Sequence, residues 1–180
     1  MNRPLTAILA ALEFVAPQFE PAREAAIHLR ALAIEHQVDP LTIVAIVRAE
    51  SGWVPSAINP RSGARGLGQI MPSNYGECRR EPAGPECEKI KSDLLDWKFN
   101  LSETARVMHT WRDYCGKKVG SRLAIHWLPG YQGLDSERRA TCGHRKVRGR
   151  WAPLKSVPKF TRAVLARRHE LERRFGKIKR

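Results

Sequence analysis

One acidic residue stands at the end of an apolar segment, directly before a run of glycines and polar residues. Residues 49–72 read AESGWVPSAINPRSGARGLGQIMP, and Glu50 is the only Asp or Glu among them. A carboxyl group packed beside apolar side chains resists ionisation, so its pKa rises and it keeps a proton near neutral pH. Such a group can serve as the general acid that protonates the leaving oxygen of a glycoside. The segment therefore predicts acid catalysis in a cleft.

A helix over 40–51 is predicted to position Glu50. Asp39 can cap this helix, and Pro40 suits its first turn because proline lacks the amide hydrogen that would go unused there. Three apolar residues precede Glu50 by seven, four and three positions and share its helix face: Ile43, Ile46 and Val47. We expect that face to meet the core and to desolvate the carboxyl group, although many glutamates at helix ends are simply solvated.

The glycines that follow Glu50 can bring the backbone close to a ligand, or can only build a hairpin. We expect short extended pieces over 58–71 to pair as a small hairpin. Gln69 offers donors and an acceptor that suit sugar hydroxyl and amide groups.

The whole segment resembles the signature of soluble lytic transglycosylases, lysozyme-like enzymes that cut peptidoglycan strands. Their pattern reads Glu-Ser, aromatic, Pro, Ala, then Gly-Ala-x-Gly-Leu-x-Gln-x-Met-Pro. The resemblance implies a mainly α, lysozyme-like α+β domain with a small hairpin or extended segment lining a glycan-binding cleft. It also implies that Glu50 acts first as acid and then as base, cleaving the bond between N-acetylmuramic acid and N-acetylglucosamine. The product is a 1,6-anhydromuramoyl end, and neither a cofactor nor a metal is implied.

The resemblance further implies substrate-binding residues within this segment, namely Ser51, Asn59, Gln69, Ile70 and Met71. Asn59 stands where the family often has serine and retains hydrogen-bonding ability toward an N-acetyl group. Gly68 stands where methionine is common, and we expect it to widen the floor of the cleft.

The third family motif is altered in this chain. Lytic transglycosylases usually carry Leu-Ala-Ala-Tyr-Asn-Ala-Gly, whereas residues 123–130 read LAIHWLPG. The family tyrosine lies beside the catalytic glutamate and helps to orient it, and His126 aligns with that tyrosine. Either His126 or Tyr131 is expected to take over its role. Trp127 is expected to stack on a sugar ring, with filling of the core as the alternative.

Two other functions remain open on the sequence. A goose-type lysozyme has the same fold and delivers water, and a wall protein altered at the third motif can bind glycan without cleaving it. Ordinary inverting and retaining glycosidases need a second carboxylate about 6.5–9.5 Å or about 5 Å away. Remote acids are the candidates for that carboxylate: Glu77, Asp96, Glu103 and Asp135.

The four cysteines allow three disulfide pairings. We favour Cys78 with Cys87 and Cys115 with Cys142. An even count fits an oxidising compartment such as the periplasm or the cell exterior. A zinc site at Cys142 and His144 lacks the usual ligand spacing, so we predict no metal.

The length of 180 residues fits one transglycosylase domain over 1–180, with an N-terminal helical extension over 1–20 and a family-like region over 25–175. The formal charge of +14 indicates attraction to anionic polymers of wall or membrane, and no nucleic-acid-binding motif accompanies it. We expect a monomer whose main partner is the peptidoglycan glycan strand.

The apolar stretch over 5–16 is too short to span a bilayer and makes a poor secretory signal. The sequence instead favours an amphipathic first helix. Export then depends on a signal already removed, or on delivery by a phage particle or a secretion apparatus.

The remaining pattern is mostly helical, with a basic loop over 144–150. Asn100 and Leu101 resemble the Asn-Ile pair that opens a core helix in the family. The predicted helices cover residues 5–15, 20–36, 40–51, 73–77, 92–113, 118–128 and 158–175.

Overall fold

The computed structural model describes residues 3–131, 140–147, 150–153 and 156–178. In these ranges the chain is mainly helical, as predicted. The helices are α1 (Arg3–Val15), α2 (Ala22–Glu35), α3 (Pro40–Glu50), α4 (Gly76–Arg80), α5 (Pro85–Asp93), α6 (Trp97–Val119), α7 (Ala124–Tyr131) and α8 (Lys159–Phe175), with a 3-10 turn at Pro72–Asn74.

Helix α3 lies at the centre of the molecule. Residues 40–47 are all buried, and the helix packs against α1, α2 and α8. Pro40 occupies the first turn as predicted. Asp39 holds the N-cap position, but its carboxylate accepts hydrogen bonds from the Thr42 hydroxyl and the Arg168 guanidinium, both at 2.7 Å, and caps no backbone amide. Instead of forming the predicted side-chain cap, Asp39 links the start of α3 to α8.

The long helix α6 begins later than the sequence indicated. The Asp96 carboxylate accepts a hydrogen bond from the Phe99 amide at 2.8 Å and caps the helix there, so α6 runs from residue 97 instead of 92. Gly120, with φ of +70°, ends it. A separate helix, α5, precedes it with Pro85 in its first turn and was not predicted.

The basic loop expected over 144–150 was wrong for residues 144–147 and 150, which belong to strands of a small sheet; residues 148–149 lie outside the described residues. Strands β1 (Ala140–Thr141), β2 (His144–Val147) and β3 (Arg150–Pro153) form an antiparallel sheet in the order β1-β2-β3. Thr141 pairs with His144, and Lys146 pairs with Trp151. In the 58–71 segment, pairing consists of two isolated antiparallel bridges that both involve Arg65.

Both favoured disulfide pairings are confirmed. Cys78–Cys87 joins α4 to α5, and Cys115–Cys142 joins α6 to the turn between β1 and β2. Buried side chains from α1, α2, α3, α6, α7 and α8 belong to one hydrophobic cluster. Among the described residues, no helix is both long and apolar enough to cross a membrane.

Candidate active site

A groove of about 450 Å³ opens at the C-terminal end of α3. The 58–71 segment, α6 and the end of α7 form its other walls. Five residues singled out from the sequence line it, together with Tyr131 from α7: Glu50, Asn59, Gln69, Ile70 and Met71. The structure thus brings most of the predicted site residues to one surface.

Glu50 is the last residue of α3 and is largely buried in the groove wall. Burial raises the pKa of its carboxyl group from the ordinary 4.5 to about 7. The three apolar residues predicted to share its helix face, Ile43, Ile46 and Val47, are fully buried. The protonated form of Glu50 is therefore well populated near neutral pH, as a general acid requires.

Among the described residues that line the groove, Glu50 is the one carboxylate. Three of the four remote acids considered from the sequence have other partners. Glu77 lies 3.7 Å from Arg80, and Asp96 caps α6. Glu103 accepts a hydrogen bond from the Tyr75 hydroxyl at 2.6 Å. Asp135 lies outside the described residues.

A buried amide holds the glycine-rich segment in place. The Asn100 side chain is fully buried, and its Oδ1 accepts a hydrogen bond from the Gly68 amide at 2.7 Å. Its Nδ2 donates to the carbonyl oxygens of Arg65 at 2.9 Å and Leu94 at 2.7 Å. Without this side chain the Gly68 amide and the Leu94 carbonyl would lose their partner, and the Arg65 carbonyl would keep only its bond from the Ile70 amide. We did not predict this role of Asn100; the signal in the sequence was the resemblance of Asn100 and Leu101 to the Asn-Ile pair of the family.

The side chains of the segment also tie it together internally. Gln69 has φ of +50°, and its Nε2 donates to the carbonyl oxygens of Gly66 at 3.0 Å and Ala57 at 3.3 Å. Asn59 Oδ1 accepts hydrogen bonds from two backbone amides of the following turn. These polar groups fix the shape of the wall as well as facing the groove.

Tyr131 connects this wall to α7. Its hydroxyl donates to the Gly68 carbonyl oxygen at 2.8 Å. Burial, and secondarily the charge of Glu50, raises the pKa of Tyr131 above its ordinary value. The hydroxyl therefore stays protonated, within electrostatic reach of the candidate acid.

Comparison with protein families matches residues 29–121 to the transglycosylase SLT domain. The match covers just over half of the chain and includes Glu50, the 58–71 segment and Asn100. The chain belongs to the transglycosylase SLT family. The domain is that of lytic transglycosylases, which act on cell-wall peptidoglycan. Neither the curated proteins nor the solved structures gave a match to this chain.

Two candidates from the altered third SLT motif lie away from the groove. His126 Nδ1 is 2.5 Å from the Ser121 hydroxyl, and its ring packs edge-on against His144 with centroids 4.8 Å apart. Trp127 is 5% exposed, belongs to the hydrophobic core and borders a different cavity near the start of α3. Of the residues considered at this motif, Tyr131 is the one on the groove.

Ser51 closes the end of α3 and is not part of the groove lining described here. Its hydroxyl donates to the Val47 carbonyl oxygen at 3.3 Å and accepts from the Trp53 amide at 3.2 Å. In this SLT domain it supports the turn that follows Glu50.

Trp111 is a groove residue that sequence reasoning missed. It lies on α6 four residues after Val107, and both side chains line the groove. Gly130 lies against its ring, because a Cβ added there would come within 2.3 Å of Trp111 Cε3. The spacing of four along a long helix was the available signal.

Proposed function

We propose that this SLT-family protein cleaves the β-1,4 bond between N-acetylmuramic acid and N-acetylglucosamine by lytic transglycosylation. The observation that carries the proposal is the environment of Glu50. Its carboxyl group is mostly buried, faces the groove and has a pKa of about 7. A proton is therefore available at the place where a glycan strand would lie.

The reaction needs one acid that later serves as a base. Glu50 gives its proton to the glycosidic oxygen, the bond from that oxygen to C1 of the muramoyl sugar breaks, and the N-acetylglucosamine portion leaves with a free hydroxyl. The C6 hydroxyl of the same muramoyl sugar then attacks C1, and its proton passes to the Glu50 carboxylate. The sugar closes into the 1,6-anhydro form, the acid is regenerated, and no water is consumed.

The other groove residues have supporting roles in this proposal. Tyr131 takes the orienting role beside Glu50, since it reaches the groove whereas His126 does not. Trp111 takes the stacking role expected of Trp127, because an aromatic face suits the apolar face of a pyranose ring. Asn59 and Gln69 contribute polar contacts from the opposite wall.

We place the enzyme outside the cytoplasm, in the periplasm or at the cell surface. Two disulfides suit that setting, and peptidoglycan is found there. The charge of +14 favours attraction to anionic wall or membrane polymers around the substrate. We propose that residues 1–180 act as one domain and as a monomer.

Product analysis tests the proposal directly. Purified peptidoglycan is digested with wild-type protein, and the released fragments are identified by mass spectrometry. We expect anhydromuropeptides from the wild type and none from Glu50→Gln. The matched control is Glu13→Gln, which makes the same change at an exposed position of α1. Reducing muropeptides alone would indicate a goose-type muramidase, and binding without release would indicate a glycan-binding protein.

A further inference from the structure

Gly68 is packed against a residue of α6 that leaves no room for a side chain. A Cβ added at Gly68 would lie 1.9 Å from Thr104 Oγ1 and 2.9 Å from the Tyr131 hydroxyl oxygen. Gly68 has no positive φ, unlike Gly66 with φ of +72°. Its lack of a side chain is therefore required by close approach and not by backbone conformation. The expected widening of the cleft floor at this point was wrong, since Thr104 fills the space.

Thr104 is itself held rigidly. It is fully buried, and its hydroxyl donates to the Asn100 carbonyl oxygen at 2.8 Å. The Asn100 side chain binds the Gly68 amide, and the Tyr131 hydroxyl binds the Gly68 carbonyl. Both backbone polar groups of Gly68 are thus fixed by residues from α6 and α7. A Cβ at residue 68 would therefore have to push aside a side chain that is already held by these hydrogen bonds.

We propose that Thr104 is a positioning residue of the groove, which fills the volume above Gly68 and thereby sets where the Tyr131 hydroxyl meets the loop beside Glu50. The inference rests on the proposed function for its catalytic meaning. Thr104 is not itself among the residues that line the groove. It acts through Gly68 and Tyr131, both of which line the groove with Glu50. A side chain at residue 68 and the threonine at residue 104 exclude one another, so the two positions form a coupled pair.

A double-mutant cycle tests the coupling. Gly68→Ala adds one methyl group that overlaps Thr104 and pushes on Tyr131, and we expect kcat/KM to fall about 10- to 100-fold, as misplacement near the reacting groups does. Thr104→Gly removes the obstructing atoms and costs a few-fold by itself. The combined variant Gly68→Ala/Thr104→Gly should recover to within about threefold of Thr104→Gly, because the residues interact directly. Gly76→Ala is the matched control, since a Cβ there meets no atom within 4 Å.

A second readout needs no catalysis. The carboxyl carbon of Glu50 is followed by NMR during a pH titration of each variant. In Gly68→Ala, displacement of Tyr131 admits water, so the Glu50 pKa should fall by about one unit, and the combined variant should restore it. A merely structural role for Thr104 would lower stability and leave this pKa unchanged.

The outcomes separate this inference from the proposed function. If the wild-type protein releases no anhydromuropeptides, the proposed function is refuted. The titration of Glu50 still tests whether residues 68 and 104 are coupled. A Gly68→Ala protein with wild-type activity and an unchanged Glu50 pKa overturns the inference. So does a combined variant Gly68→Ala/Thr104→Gly in which neither the activity nor the Glu50 pKa is restored. If Gly68→Ala fails to fold, folding of the combined variant supports the coupling and its failure to fold overturns it.

Discussion

Replacing the candidate acid by glutamine should stabilise the protein at alkaline pH. The Glu50 carboxyl group has a pKa of about 7 in the folded protein against an ordinary 4.5, which we take for the unfolded chain. Between these values the folded state holds a proton that the unfolded state has lost, so stability falls as pH rises through this window. Below pH 4.5 both states are protonated and the penalty is absent.

The magnitude follows from the two pKa values. The difference between about 7 and 4.5, at about 1.4 kcal/mol per pKa unit, comes to about 3 kcal/mol at pH 8 and above. Glutamine has nearly the same shape and carries no charge, so Glu50→Gln avoids this cost. Within the described residues the Glu50 carboxyl group makes no hydrogen bond, so the exchange sacrifices none there. The variant should therefore unfold like wild type at pH 4 and be about 3 kcal/mol more stable at pH 8.

Urea unfolding of the oxidised protein, followed by tryptophan fluorescence, measures the difference at several pH values. Other titrating groups are common to both proteins and cancel. Glu13→Gln, at an exposed position, should show no pH-dependent gain. A difference between Glu50→Gln and wild type that stays flat from pH 4 to pH 8 would refute the claim that burial controls this carboxyl group. Ionisation of the Glu50 carboxyl group would then cost the folded protein no stability.

The same ionisation should govern the rate: kcat/KM on dye-labelled peptidoglycan should fall about tenfold per pH unit above pH 7, as the general acid loses its proton. Asn100→Ala removes three hydrogen bonds and leaves the Gly68 amide and the Leu94 carbonyl without a partner, so it should cost about 3–5 kcal/mol in urea unfolding, with loss of activity. A cost below about 1 kcal/mol would contradict the structural role of Asn100. Replacing Cys115 and Cys142 by serine opens a loop of 27 residues and should cost about 3.5 kcal/mol, whereas the same change at Cys78 and Cys87 opens a loop of 9 and should cost about 2.5 kcal/mol. Thermal and urea unfolding of the two double variants should show that order.

Signals in the local sequence were enough to predict α3, the helix that carries Glu50. Proline in the first turn, apolar residues at helical spacing and a glutamate on the same face all act within about a dozen residues, and α3 follows them closely. The burial of Glu50 was predictable for the same reason. The family match over 29–121 agrees with the motif that first indicated the chemistry.

The side chain of the third motif that faces the groove was harder to predict, because alignment with a motif does not fix the direction of a side chain. Tyr131 follows His126 by five residues, which places the two side chains about 140° apart around a helix. Only one of them can face the groove, and α7 turns Tyr131 toward it. Its direction depends on how α7 packs against α6 and α8, which the spacing alone does not give.

The small sheet also escaped prediction. Its strands are two to four residues long and show no clear alternation of apolar and polar residues, and β2 and β3 carry basic residues. Pairing between them and the disulfide to α6 supply the order that local propensity lacks. Such an element is specified by tertiary contacts, so a reader of the sequence sees only a charged loop.

Two glycines, Gly66 and Gly68, in the wall of the candidate active site show what the neighbouring sequence can and cannot explain. Gly66 has a positive φ, and a turn of that kind is a recognised reason for glycine in a loop sequence. Gly68 has an unexceptional backbone, and the atom that excludes a side chain there belongs to Thr104, thirty-six residues later. Nothing in the neighbouring sequence distinguishes the two. A substitution at residue 68 is consequently tolerated or rejected according to residue 104, and the shape of the groove beside Glu50 is set by α6 as much as by the loop that carries the family motif.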